Sequence, residues 1–282
     1  MTERISSAFN RETLVRFLQA QFRVSNLHAV EDENKSILRF WLNIDIPGFG
    51  LIPISLLSQG AVIRFTAHRA LMGKVNAEKL KAFNEVNLSP WGGRIYLAPD
   101  NQGGDISFGV PLPENASSPF PVGFYISQLC DSVVRCREGD YPRYIGPEIP
   151  SVEILKKQIV QWAQSVRVQF ANIHDGHMVV FDTYTLENRP VRVEIYVYEQ
   201  ALCSVRVHEE IPGFGDRDFP YDVITTVNQL TSSGAVAWQA DLRRLVVNVV
   251  QYPAVVEFGV DNIQWAVDRA LEIWDKTLDL LN

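Results

Sequence analysis

Only three cysteines occur in a chain of 282 residues, an odd and small number that excludes a disulfide framework. Cys203 alternates with apolar residues in a strand pattern and Cys130 and Cys136 fall in a helical one, so all three read as small buried hydrophobes of a reducing compartment. No run of about 18 uninterrupted apolar residues occurs, and Met1 to Ser6 opens no apolar stretch of signal length, which predicts a soluble cytoplasmic chain with no membrane span. Basic residues are in deficit: 26 Lys and Arg against 33 Asp and Glu leave a net charge of −7. That balance excludes a nucleic-acid footprint, which needs clustered basic side chains to displace phosphate counterions.

Motifs of familiar chemistry are equally scarce. No Gly-x-Ser-x-Gly elbow, no phosphate-binding Gly-x-x-x-x-Gly-Lys, no His-Glu-x-x-His and no paired Cys-x-x-Cys is present. The nearest approach to a metal site is His174-Asp175-Gly176-His177, where Asp-Gly marks a turn and no third cluster of ligands follows. With only five histidines in all, these absences predict a chain that is not an enzyme and uses no cofactor and no metal.

What the chain does contain is a duplication. His68 answers to His208, and Val86-Asn87 to Val227-Asn228, at nearly the same spacing of half the chain length. Each copy opens with an amphipathic helix, marked by Leu14, Phe17, Leu18 and Phe22 and then by Leu155, Ile159, Trp162 and Val166. Strands follow with a period of two. Ala61, Ile63, Phe65 and Ala67 alternate with Val62, Arg64, Thr66 and His68; at the same spacing Ala201, Cys203, Val205 and Val207 alternate with Leu202, Ser204, Arg206 and His208. One face of each strand is apolar and one mostly polar, as in antiparallel sheet covered on one side. A second helix, a hairpin and a last helix complete each copy, so the expected fold class is α+β, αβββαββα twice. The first copy spans 1–138, the second 151–282, and residues 139–150, with three prolines and two glycines, form the linker.

One identical pair breaks this register. Ile46-Pro47-Gly48-Phe49-Gly50 recurs as Ile211-Pro212-Gly213-Phe214-Gly215, but farther along than the matched strands allow, which places the two at different points of the fold and makes them reused turns.

The second helix and hairpin carry a resemblance. Phe83-Asn84-Glu85-Val86-Asn87, then Gly93-Arg94-Ile95-Tyr96-Leu97, a polar turn and Asp105-Ile106-Ser107-Phe108 resemble the Asn-x-x-Asn and hairpin segment of the YbjN-type family, bacterial sensory transduction regulators with a fold similar to type III secretion chaperones. The second copy keeps Asn228 but has Thr225 where Asn84 would fall. The resemblance implies a protein-binding adaptor or chaperone-like role for a monomer whose two copies replace a homodimer. On that reading the polar strand faces hold the partner polypeptide, through Arg39, Trp41, Arg64, Arg192, Tyr196, Tyr198 and Arg206, because Arg and aromatic side chains anchor interfaces. The alternative is a small-molecule sensor with its ligand pocket between the two domains.

Overall fold

Period-two alternation becomes twelve strands in the computed structural model, which describes residues 24–32, 37–59, 62–89, 91–111, 122–146, 152–174, 176–198, 202–211, 214, 219–251 and 259–281, with Arg16 and Ala20. In chain order the elements are β1 (Val24–Asp32), β2 (Ile37–Ile46), β3 (Gly50–Gln59), β4 (Val62–Met72), α1 (Ala77–Leu88), β5 (Gly93–Leu97), β6 (Gly103–Pro111), α2 (Val122–Glu138), α3 (Val152–Ser165), β7 (Phe170–Ile173), β8 (Met178–Tyr184), β9 (Pro190–Tyr198), β10 (Leu202–Glu210), α4 (Tyr221–Leu230), β11 (Ala235–Gln239), β12 (Arg244–Gln251) and α5 (Val260–Leu281). The fold is α+β with two antiparallel sheets, ordered β1-β2-β3-β4-β6-β5 and β11-β12-β10-β9-β8-β7.

Each half has one strand more than the pattern predicts before its middle helix. β7 is four residues long at a sheet edge and mostly exposed, so no apolar alternation marks it. A register shift between Ser25 and His28 interrupts the alternation of β1. The opening helix expected on Leu14, Phe17, Leu18 and Phe22 lies outside the described residues.

Packing gathers the chain into two compact units that are not contiguous in sequence. The first comprises residues 1–74 and 98–145, the second residues 75–97 and 146–282. In the first unit Phe40, Leu42, Ile54, Leu56, Ile63, Phe65, Ile106 and Phe108 form one buried apolar sheet face. Helix α2 covers it with Tyr125, Ile126, Leu129 and Val133, and the Tyr125 ring stacks on Phe65 at 5.4 Å. The helix stops at Gly139, whose φ of 79° suits the left-handed C′ position. There Gly139 N donates to Cys136 O and Asp140 N to Arg135 O, which satisfies the last carbonyls. Arg137 in the final turn donates to the carbonyls of Ala70 and Phe49.

The two Ile-Pro-Gly-Phe-Gly segments do different work. The first closes the turn between β2 and β3, with Phe49 N donating to Ile46 O. The second follows β10, and its Phe214 meets Phe219 edge to face at 5.5 Å.

In the second unit α3 and α5 bury Leu155, Ile159, Trp162, Ile263, Ile273 and Trp274 against the valine-rich face of β9, β10 and β12. The helix and strand read as part of the first copy, α1 and β5, pack here too. Their asparagines do not cap helices. Asn87 Nδ2 donates to Ile95 O while Ile95 N donates back to Asn87 Oδ1, so the side-chain amide pairs with strand backbone as another strand would. Asn228 of α4 makes the same double bond to Val236. Asn84 pairs likewise with both backbone groups of Trp238, and Thr225 in the matching place accepts one bond from Leu97 N.

Arg94 completes this layer and is 1% exposed. Its guanidinium donates to the carbonyls of Asn228 in the last turn of α4, of Thr231 just past its end, and of Gly234 before β11. Gly234 has φ 76°, and a Cβ there would lie 2.8 Å from Ile273 Cδ1, so glycine is required for this carbonyl to face the arginine. Replacing Arg94 with Met strands three buried carbonyls. We expect a stability loss of about 3–5 kcal/mol in urea unfolding, with Arg94→Lys recovering only part because one ammonium nitrogen replaces three spaced guanidinium nitrogens, each of which meets a different carbonyl. An unchanged midpoint for Arg94→Met would show that the cap contributes nothing.

Candidate ligand-binding site

The same alternation that buries valines on one face of the second sheet puts Glu194 and Tyr196 of β9, Arg206 and His208 of β10, and Arg244 and Val246 of β12 on the other. Arg206 stands opposite Glu194 on one side and Asn248 on the other, and His208 opposite Val246. With Leu88 at the end of α1 and Gln239 at the end of β11, these side chains line a cavity of about 270 Å³ inside the second unit.

Its polar groups form a connected set. His208 Nε2 lies 3.0 Å from Glu194 Oε1, and the Tyr196 hydroxyl donates to Glu194 Oε2 at 2.9 Å. The Arg206 guanidinium sits 5.2 Å from the centre of the Tyr196 ring, and the Tyr198 ring stacks on that of Tyr196 at 6.0 Å. Arg206 Nε is buried and has no hydrogen-bond partner among the described residues. Beneath, buried Ser204 donates to Asn248. The His208 hydrogen bond holds the Glu194 carboxyl below the usual carboxylate range, while burial, and then the bond to Glu194, push the Tyr196 phenol up to about 12. The lining therefore keeps a neutral phenol, an ionised carboxylate already shared by two donors, and two guanidinium groups, of which Arg244 faces Glu210 across the strands.

The seven residues expected to bind a partner are dispersed. In the first unit Arg39 is exposed, Trp41 stacks on His68 at 4.9 Å, and Arg64 Nε donates to Ser107 Oγ. In the second, Arg192 points to solvent and pairs with Asp182 at 3.0 Å. Only Tyr196, Tyr198 and Arg206 come together, and of these Tyr196 and Arg206 line the cavity. Glu194, His208, Gln239 and Arg244 were not singled out for it. The signal existed for two: Glu194 and His208 share the polar phase of adjacent strands, but only the register of β9 on β10 shows that they meet. The three thiols are pushed up to about 12 by burial, and Cys203 is fully buried. Among the described residues no helix is long and apolar enough to cross a membrane.

No family model matches the chain, and no curated protein matches it. Among solved structures it is similar to the di-domain ARO/CYC StfQ from the steffimycin biosynthetic pathway, at 10% identity over 97% of this chain and 92% of that one, with a TM-score of 0.18. It is similar also to the di-domain ARO/CYC BexL from the BE-7585A biosynthetic pathway, at 10% identity over 98% and 92%, again with a TM-score of 0.18. These neighbours are aromatase/cyclase enzymes, and that finding corrects the expectation that the chain is not an enzyme. The expectation rested on missing sequence motifs, whereas catalytic groups are recognised by geometry and can come from distant strands. At this TM-score the likeness assigns no activity to the chain.

The lowered Glu194 carboxyl gives a pH test. A depressed folded value means that ionised Glu194 stabilises the fold above the ordinary carboxylate range, near about 4.3 in unfolded chains, and that this contribution disappears as pH falls through the folded value. Glu194→Gln is expected to be less stable than the parent at neutral pH and to converge on it in acid, followed by thermal melts down a pH series into the acid range. A constant gap across that range would show that the His208 pairing does not favour the ionised form.

Proposed function

We propose that the chain binds a small organic anion with an apolar body in the cavity of the second unit. The observation that carries this is a cavity lined by two guanidinium groups, Arg206 and Arg244, with Arg206 Nε lacking a hydrogen-bond partner among the described residues. Glu194, the carboxylate of the lining, is already engaged by His208 and Tyr196, so an arriving carboxylate finds donors in excess of acceptors. Leu88, Val246 and the Tyr196 ring suit an apolar body, and about 270 Å³ matches a single ring with a short substituent. Calorimetric titration with benzoate, 4-hydroxybenzoate and cinnamate, against benzamide as the neutral control, tests this reading. The acids are expected to bind saturably and the amide not, with Arg206→Met and Arg244→Met each weakening the acids at least about tenfold, or about 1.4 kcal/mol. Equal binding of acid and amide would overturn it.

A second reading is favoured by the exposed edge strand β7, whose outer backbone groups are open to an added strand. In it the chain is a cytoplasmic adaptor resembling the YbjN-type family, built of two copies related to type III secretion chaperones, and as a monomer it holds another polypeptide through that edge and the polar faces bearing Arg39, Trp41, Tyr196 and Tyr198. Hydrogen–deuterium exchange on a captured complex is expected to show new protection at Phe170–Ile173; unprotected β7 amides in the complex would count against strand addition.

A further inference from the structure

The first unit holds a second constellation, independent of that cavity. Ser55 of β3, His68 of β4 and Asp105 of β6 lie side by side on the polar face of the first sheet. Ser55 Oγ is 2.7 Å from His68 Nε2, and His68 Nδ1 is 3.1 Å from Asp105 Oδ2. Asp105 is buried, and its other oxygen accepts the backbone N–H of Arg69 at 2.8 Å, so the carboxylate is fixed from both ends. The pairing of β4 with β6 shifts register between Ala67 and Leu71, and Arg69 there has φ 50°. This bulge breaks the ladder where His68 and the Arg69 amide turn toward Asp105, a placement common beside active sites.

Comparison between the halves shows that the arrangement is particular to the first. Ser55 stands opposite Thr66, as Glu194 stands opposite Arg206, the residue that answers to Thr66 in the second half. Both histidines thus bond a residue from the same place in the sheet, Ser55 in one half and Glu194 in the other. Asp105 matches Val246, since Ala67 pairs with Ile106 and Val207 with Val247. At the matched positions the second half has Glu194, His208 and Val246 where the first has Ser55, His68 and Asp105.

We propose that Ser55 is a nucleophile, His68 its base and Asp105 a positioning carboxylate, and that they hydrolyse small aryl esters through an acyl-enzyme. With Nδ1–H donating to Asp105, Nε2 is free to accept the Ser55 hydroxyl proton. Ser55 Oγ attacks the ester carbon as its proton passes to Nε2, and collapse of the adduct breaks the bond to the aryl oxygen, which takes that proton and departs as a phenol. Water then attacks the acyl carbon and gives a proton to Nε2, and Ser55 Oγ leaves with that proton as the carboxylic acid is released. Thr66, buried and opposite Ser55, is the hydroxyl-bearing residue in register with the nucleophile and is the candidate donor to the oxyanion. Ser55 is 8% exposed, which limits the acyl group to something small. The His68 side chain keeps 27% of its surface open, and Trp41, stacked on it and 38% exposed, offers a flat platform for an aryl leaving group.

The test is p-nitrophenyl acetate with the full chain, followed by stopped-flow absorbance and peptide mass spectrometry. We expect a burst of about one p-nitrophenolate per chain and an acetyl group on Ser55. Ser55→Ala should abolish both and lower the rate about 10³-fold or more, Ser55→Cys should restore acylation at that position, and Asp105→Asn should lower kcat with KM unchanged. Near-UV circular dichroism confirms that each variant is folded, and Ser55→Ala decides alone if Asp105→Asn is not. Acetylation elsewhere, or hydrolysis by Ser55→Ala at the parent rate, would overturn the proposal.

Discussion

The pairing of side-chain amides with strand backbone is the constraint from which the second unit is built. Asn84, Asn87 and Asn228 each present one donor and one acceptor to a strand that would otherwise bury unpaired peptide groups. Such groups cannot be left unsatisfied without cost, so the helix that carries each asparagine and the strand that it meets are locked in one register. Arg94 adds the converse arrangement, a buried cation satisfied by carbonyls at the end of α4 and in the turn that follows it. Because Asn84 and Arg94 come from residues 75–97 and their partners from residues 228–238, the second unit is assembled from segments far apart in the chain.

A rigid strand register is what places chemistry on the polar faces. Tyr196 and Arg206 converge with Glu194 and His208 only because β9 and β10 are held without slippage; a slip of one residue in either strand would turn that strand's pair into the apolar core. The two halves have used the same histidine position differently. In the second, Glu194 anchors His208 beside a cavity with surplus guanidinium groups; in the first, Ser55 and Asp105 flank His68 from both sides. Substitution at two registered positions changes an ion pair into a hydroxyl, imidazole and carboxylate series. The apolar faces are alike in the two halves, whereas the polar faces differ at these positions.

Much of the architecture was legible in the sequence because it follows from local periodicity. The valine, leucine and phenylalanine phases of β3, β4, β9 and β10 and the stripes of α3 and α5 are written directly in the residue order, and burial on one face is their consequence. Strand β7 was illegible because an exposed edge strand needs no alternation, and the grouping of α1 and β5 with the second unit was illegible because no local pattern states which sheet an asparagine will pair with.

The candidate sites divide along the same line. Sequence alone determined that Arg64, His68, Arg206 and His208 share the polar phase of matched strands, since side-chain direction in a strand follows parity. That Ser55 reaches His68, that Asp105 meets its other nitrogen across a bulge, and that Glu194 rather than a solvent molecule faces His208 was decided by tertiary structure alone. Hydrogen bonds between strands depend on register and on the bulges that adjust it, and both are set by long-range packing that residue order along one strand does not encode.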